Sequence, residues 1–160
     1  MTTHDDQIST VAELMRATDI AVLTYVSLDG ALVSTPMATR DFTDPGTMWF
    51  LTERDTDKVR AIQADPRVNV TYHGDNGWVS LSGTATVSDD RAKVAELWDA
   101  SADTWMSGGP EDAANVALRV EGATAEYWES PGKATAAVQL VKGLVSNSRP
   151  DMGDNDTVEL

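Results

Sequence analysis

Thr47-Met48-Trp49-Phe50-Leu51-Thr52-Glu53-Arg54-Asp55-Thr56-Asp57-Lys58 is the stretch on which the fold turns. Its first half, Thr47 to Thr52, concentrates Trp49, Phe50 and Leu51 behind the turn Asp44-Pro45-Gly46, which is strand composition after turn chemistry. Its second half opens a helix. Asp55 or Thr56 can cap it, Val59 and Ile62 continue it, and Asp65-Pro66 stops it, because the residue before a proline disfavours the helical region. A strand that runs straight into a helix N-terminus leaves several backbone N–H groups without partners and adds the positive end of the helix dipole, so this turn is a natural anion site. Thr52, Thr56 and Lys58 surround it. Each can give an anion oxygen a hydrogen bond, and the charged one is worth roughly 1.5–3 kcal/mol.

Upstream, Ile8, Val11, Ala12, Leu14 and Met15 have the spacing of one helical face, predicting a helix from Ile8 to Ala17. Ile20 to Ser27 and Leu32 to Thr39 flank Asp29-Gly30 and read as a hairpin. Pro36 inside the second run cannot donate to a ladder, so it marks an edge, a bulge, or a strand whose partner is not another strand.

Downstream, Val68 to His73 and Trp78 to Val87 flank Asn76-Gly77 and read as a second hairpin. Ser88-Asp89-Asp90 opens a helix expected to run through Ala100, with Val94, Leu97 and Trp98 on one face. After Gly108-Gly109-Pro110 come two extended stretches, Val116 to Val120 and Ala123 to Trp128, around a Gly122 that suits a bulge or barrel corner. A last helix is expected over about Lys133 to Val145, with Ala137, Leu140, Val141 and Leu144 on its buried side. The expected fold is mainly β (α+β): an antiparallel, closed or nearly closed barrel with short flanking helices.

The 160 residues, 41% hydrophobic, suffice for one domain with a core. Apolar runs are too short or interrupted to span a bilayer, and the polar, acidic start is not a secretory signal, so no membrane is expected as a partner and the cytoplasm is the expected location. Without cysteine there is no disulfide, thiolate nucleophile or zinc finger. His4, in an expected flexible tail, and His73, alone, make no metal site. The net charge of −14 repels polyphosphate backbones and argues against nucleic acid. A small anionic ligand is compatible with that charge, because backbone N–H groups and one or two placed cations act locally.

Phe50-Leu51-Thr52 followed by Thr56-Asp57-Lys58 resembles the split-barrel flavoproteins related to pyridoxamine 5′-phosphate oxidase. The general stress protein branch is closer still, from about Ile8 to Trp128 and again at Pro150-Asp151-Met152-Gly153-Asp154-Asn155. The resemblance implies a homodimer with flavin mononucleotide (FMN) at its interface; FAD, deazaflavin and haem are the alternative cofactors. It places Thr52, Thr56 and Lys58 at the phosphate with Leu51 beside them through its backbone, and Thr35, Pro36, Met37 and Arg40 along the ring and ribityl chain. The chain departs from the family pattern at two of these cofactor-binding positions. Thr35 stands where many relatives have arginine, and Asp57 where arginine often precedes the turn lysine. Arg40, Arg54 or Arg60 are the cations available to compensate.

The domain so implied runs from 8 to 145, between a flexible 1–7 and an acidic, disordered tail from 146 to 160. Of the five tryptophans, expected in the core or an interface, Trp98 is read as packing and Trp78 and Trp128 as candidates to stack near the flavin or to seal the dimer. Ser80 and Ser82 alternate with Val79 and Leu81 and face solvent. No acid, base or nucleophile constellation stands out as catalytic, and a flavin needs little from side chains because its own ring carries hydride or electrons. The functions implied are a flavin-dependent oxidoreductase acting on an unidentified small molecule, possibly in stress response, or a non-catalytic flavin-binding or flavin-sensing stress protein.

Overall fold

A computed structural model describes residues 2–131 and 155–160. The first element, α1 (His4–Arg16), starts four residues before the expected Ile8, so residues 4–7 are helical rather than a flexible lead. The cause is a capping box: Thr3 Oγ1 accepts the Asp6 N–H, and the Asp6 carboxylate accepts the Thr3 N–H at 3.0 Å. Val11, Leu14 and Met15 turn inward from it as the periodicity requires.

The hairpin β1 (Ile20–Val26) and β2 (Leu32–Ala38) forms with Gly30 at φ 87° in the turn. Then come β3 (Thr47–Glu53) and α2 (Asp57–Ala64), whose N-cap is Thr56 rather than Asp55 and whose C-cap is Asp65. The second hairpin is β4 (Arg67–Gly74) and β5 (Gly77–Ser88). Its turn is Asp75-Asn76, one residue earlier than Asn76-Gly77, because Gly74 pairs with Gly77. Gly77 starts β5 where a Cβ would stand 2.1 Å from the Trp128 carbonyl oxygen, a position only glycine fits.

Three expectations are corrected beyond this point. The helix predicted through Ala100 is two, α3 (Arg91–Leu97) and α4 (Ala100–Trp105), broken at Trp98 and recapped by Asp99, whose Oδ1 accepts the Ala102 N–H at 2.9 Å. The two late strands are one, β6 (Asn115–Glu129), interrupted only by a bulge: Ser82 pairs with Thr124 but Gly83 pairs with Gly122. A side chain at Gly83 would put its Cβ 2.0 Å from the Glu121 carbonyl oxygen, so the bulge depends on that glycine. The expected disordered tail is replaced over 155–159 by β7 (Asn155–Glu159), paired antiparallel with Thr124 to Trp128 of β6. The predicted helix over 133–145 lies outside the described residues.

The sheet is antiparallel throughout, in the order β2-β1-β4-β5-β6-β3, with β7 also on β6. It is the split-barrel fold. One edge of β6 carries β5, while the other carries β3 along its first half and β7 along its second. Pro36, opposite Val22, lies on the edge strand β2, where its lacking N–H removes no bond from a second neighbour.

Two apolar clusters share β3. Met48 and Phe50 enter the main core with Leu23, Val70, Leu81 and Leu118, while Trp49 and Leu51, on the opposite face, pack with Val94, Leu97 and Ala102 of α3 and α4. That two-sided burial is why β3 reads as a continuous apolar run, and it fixes α4 beside the strand that ends at Thr52.

Candidate functional site

The ends of β2 and β3, the two outermost strands of the sheet order, border a cleft of about 540 Å³, within the range of small-molecule sites. Pro36, Met37 and Ala38 come from β2, and Leu51, Thr52 and Glu53 from β3. The start of α2 supplies Thr56 and Lys58, and α4 with its C-cap supplies Ser101, Ala102, Trp105 and Met106. Ile20 and Arg40 complete the lining.

The structure thus brings Pro36, Met37, Arg40, Leu51, Thr52, Thr56 and Lys58 into one cavity and leaves out Thr35 and Asp57. Thr35 shares the Met37 face of β2 one step further along, opposite Leu23. The Asp57 carboxylate accepts from Arg60 Nη2 at 2.7 Å, so its charge is directed to that guanidinium.

Each polar group in the cleft has a definite state. The Thr56 hydroxyl is occupied as a cap, accepting the Val59 N–H at 3.3 Å and donating to the Glu53 carbonyl at 3.1 Å. The start of α2 leaves the backbone N–H groups of Asp57 and Lys58 without intrahelical acceptors, Lys58 lining the cleft and Asp57 standing between it and Thr56. Thr52 is only 6% exposed, yet its hydroxyl makes no hydrogen bond among the described residues. Lys58 Nζ lies 3.3 Å from the Met37 sulfur, a weak acceptor. Burial lowers the Lys58 pKa below the ordinary lysine value, and the negative charge of Glu53 opposes that shift in part.

Arg40 is the second cation. Its side chain is 9% exposed, with Nη1 donating to the Thr39 carbonyl at 3.1 Å and lying 3.4 Å from Asp99 Oδ2. Its Nε is buried without a hydrogen-bond partner among the described residues. The other two arginines proposed to compensate are turned elsewhere. Arg54 donates from Nε to the Ala113 carbonyl at 3.0 Å, and Arg60 binds Asp55 and Asp57. A guanidinium with a buried, unpartnered Nε, an ammonium whose recognised acceptor among the described residues is a thioether, and helix N–H groups without intrahelical acceptors suit an oxyanion such as a phosphate. The apolar wall of Ile20, Pro36, Met37 and Leu51 suits a flat ring.

Sequence reasoning missed the α4 wall, because it ended the helix at Ala100 and treated the following residues as a connection. Its two stacking candidates lie elsewhere: Trp78 stacks on His73 at 5.1 Å and sits opposite Trp128 on β6, and neither lines this cleft. Trp98 packs on the second cluster as expected, its Nε1 donating to Asp103 at 2.7 Å. Among the described residues no group of three or more His, Cys, Asp or Glu side chains stands together to hold a metal, and no helix is long and apolar enough to cross a membrane.

A barrel whose two outermost strands and one helix N-terminus frame a cleft of this kind defines a class of protein, and comparison with known sequences gives it a family. Residues 6–151 match the family described as pyridoxamine 5′-phosphate oxidase like, and the chain belongs to that family. Its members generally bind flavin. The chain is similar to protein bli-3 of Neurospora crassa, 27% identical over 158 residues that cover 91% of this chain and 76% of bli-3. Among solved structures it is similar to a general stress protein 26 from Jannaschia sp. CCS1, at 26% identity and a TM-score of 0.79, covering 99% of this chain and 100% of that one. A general stress protein 26 from Bacillus anthracis shares the fold at 22% identity and a TM-score of 0.67, covering 76% of this chain and 92% of that one.

Proposed function

We infer that the cleft binds FMN and that the protein is a flavin-dependent oxidoreductase acting on a small molecule. The observation that carries this reading is the pairing, in one cavity, of a helix N-terminus and two under-coordinated cations with an apolar slot. Lys58, Thr52 and the backbone N–H groups of Asp57 and Lys58 hold the phosphate, Asp57 thus contributing through its main chain. Pro36, Met37 and Leu51 flank the ring, and Arg40 supplies positive charge near it. When bound, the flavin supplies hydride or electron transfer through its own ring system. The protein's part is to orient it, to shield it from water on the β2 and β3 sides, and to neutralise its phosphate.

Two copies form the working unit in this reading. It is supported by exposed apolar side chains at Val22, Leu32 and Trp78, on β1, β2 and β5, of the kind that mark interfaces. Light scattering checks it.

The test is titration with FMN, followed by desalting and an absorbance spectrum, with a deazaflavin and haem titrated in parallel. FMN binding that survives desalting is expected. No flavin bands and no fluorescence change overturn the assignment. With FMN bound, anaerobic mixing with NADH or NADPH is expected to bleach it faster than free FMN. No acceleration with either donor favours the flavin-storing or flavin-sensing alternative.

A further inference from the structure

Trp105 is the anomaly of the cleft. It is 81% exposed, the most exposed of the large apolar side chains among the described residues, yet it lines the same cavity as Lys58 and Arg40. A solvent-facing indole at the mouth of a cleft leaves a large apolar surface in water, and burying it against a ligand recovers that cost.

Its exposure is not that of a loose helix end. Ala102, three residues earlier, is buried in the second apolar cluster, and Met106, the next residue, packs against that cluster. Asp99 holds the start of the same helix, capping it at Ala102 N–H and facing Arg40 at 3.4 Å. The backbone of α4 is therefore pinned on both sides of Trp105 while the side chain stays exposed, its Nε1 making no hydrogen bond among the described residues.

We propose that Trp105 is a specificity determinant of the cleft, its indole stacking on the ring of the bound ligand so that the site selects a planar, electron-poor heteroaromatic anion over a flexible anion of equal charge. The charge half of that selection comes from Arg40 and Lys58, whose donors exceed the partners the protein gives them. The shape half comes from an apolar slot that has Pro36 and Leu51 in its lining and the electron-rich indole at its rim. This inference rests on the flavin-nucleotide reading and names the residue that makes it selective for the ring.

The experiment compares the full-length wild type with Trp105→Phe and Trp105→Ala in titrations with FMN, riboflavin and ribose 5-phosphate, together with light scattering. Trp105→Ala is expected to weaken FMN and riboflavin about tenfold, and Trp105→Phe by no more than about threefold. Ribose 5-phosphate, which carries the anion without the ring, binds all three alike. Flavin bound to Trp105→Phe is brighter than flavin bound to wild type, because a nearby indole quenches it and a phenyl does not. Equal FMN affinity and equal brightness in all three proteins overturn the role of Trp105 while leaving the flavin reading standing. Failure of the wild type to bind FMN overturns both. Loss of dimer in Trp105→Ala with unchanged FMN affinity assigns the indole to an interface and also overturns the proposal.

Discussion

Arg40 Nη1 lies 3.4 Å from Asp99 Oδ2, and this single contact ties the chain just beyond β2 to the N-cap of α4. Asp99 therefore acts twice, as a cap and as the counter-charge of a largely buried guanidinium. Asp99→Ala removes both and is expected to cost about 1–2 kcal/mol in urea unfolding, mostly through the cap, since the carboxylate is half exposed and solvent screens the pair. Asp99→Asn keeps a good cap and loses only the charge. It should unfold close to wild type while shifting FMN affinity, which separates the two roles.

Lys58 makes the opposite trade. Its ammonium is partly buried beside a thioether, so Lys58→Met is expected to raise the unfolding midpoint of the ligand-free protein while weakening FMN roughly ten- to a hundredfold. The pH dependence follows from the lowered pKa. The unfolded chain holds this proton more tightly, so the cost to the fold is fully present below the folded pKa. It fades as pH rises from there towards the ordinary lysine value. The stability gap between Lys58→Met and wild type should narrow over that alkaline window, and wild-type FMN affinity should fall across it. Parallel melts and titrations from neutral to alkaline pH check both.

The bulge at Gly83 is a rigid requirement. Gly83→Ala drives a methyl group into the Glu121 carbonyl, and neither β5 nor β6 can move without breaking pairing on both sides. A loss of at least about 2 kcal/mol is expected by chemical denaturation, with FMN binding lost only as the fold is lost.

Val158 tests whether β7 belongs to the barrel. Its side chain is buried in the main core, paired opposite Ala125. Val158→Ala is expected to cost about 1–3 kcal/mol, and Val158→Asp should release the strand and strip hydrogen-exchange protection from Thr124 to Trp128.

Asp65 and Arg67 offer a measurement independent of any ligand. Arg67 donates to both Asp65 oxygens from Nε and from Nη2, holding the carboxyl at a pKa of about 2. In Arg67→Ala an NMR titration should find it moved back toward the ordinary aspartate value. Because the folded pKa is depressed, the pair's contribution is present above the unfolded value and is lost as pH falls toward about 2.

By itself the sequence determined whatever its local chemistry could specify. Asp29-Gly30 set one hairpin, Asp55 or Thr56 and Asp65-Pro66 bounded α2, and Pro36 limited its strand to an edge, a bulge or a place without a strand partner, because turn geometry, capping and a missing N–H act within a few residues. The strand-to-helix turn from Thr52 to Lys58 was legible for the same reason. Only the tertiary structure decided between a continuous helix and the break at Trp98 and Asp99, through the distant Arg40 that faces Asp99 and the packing of Ala102 on the second cluster. It alone joined β6 across its bulge through pairing with β5, and drew β7 into the sheet by burying Val158. It also decided which cations face the cleft and placed Trp105 at its rim. Those outcomes depend on groups far apart in the chain, whose energies appear only when the sheet brings them within contact.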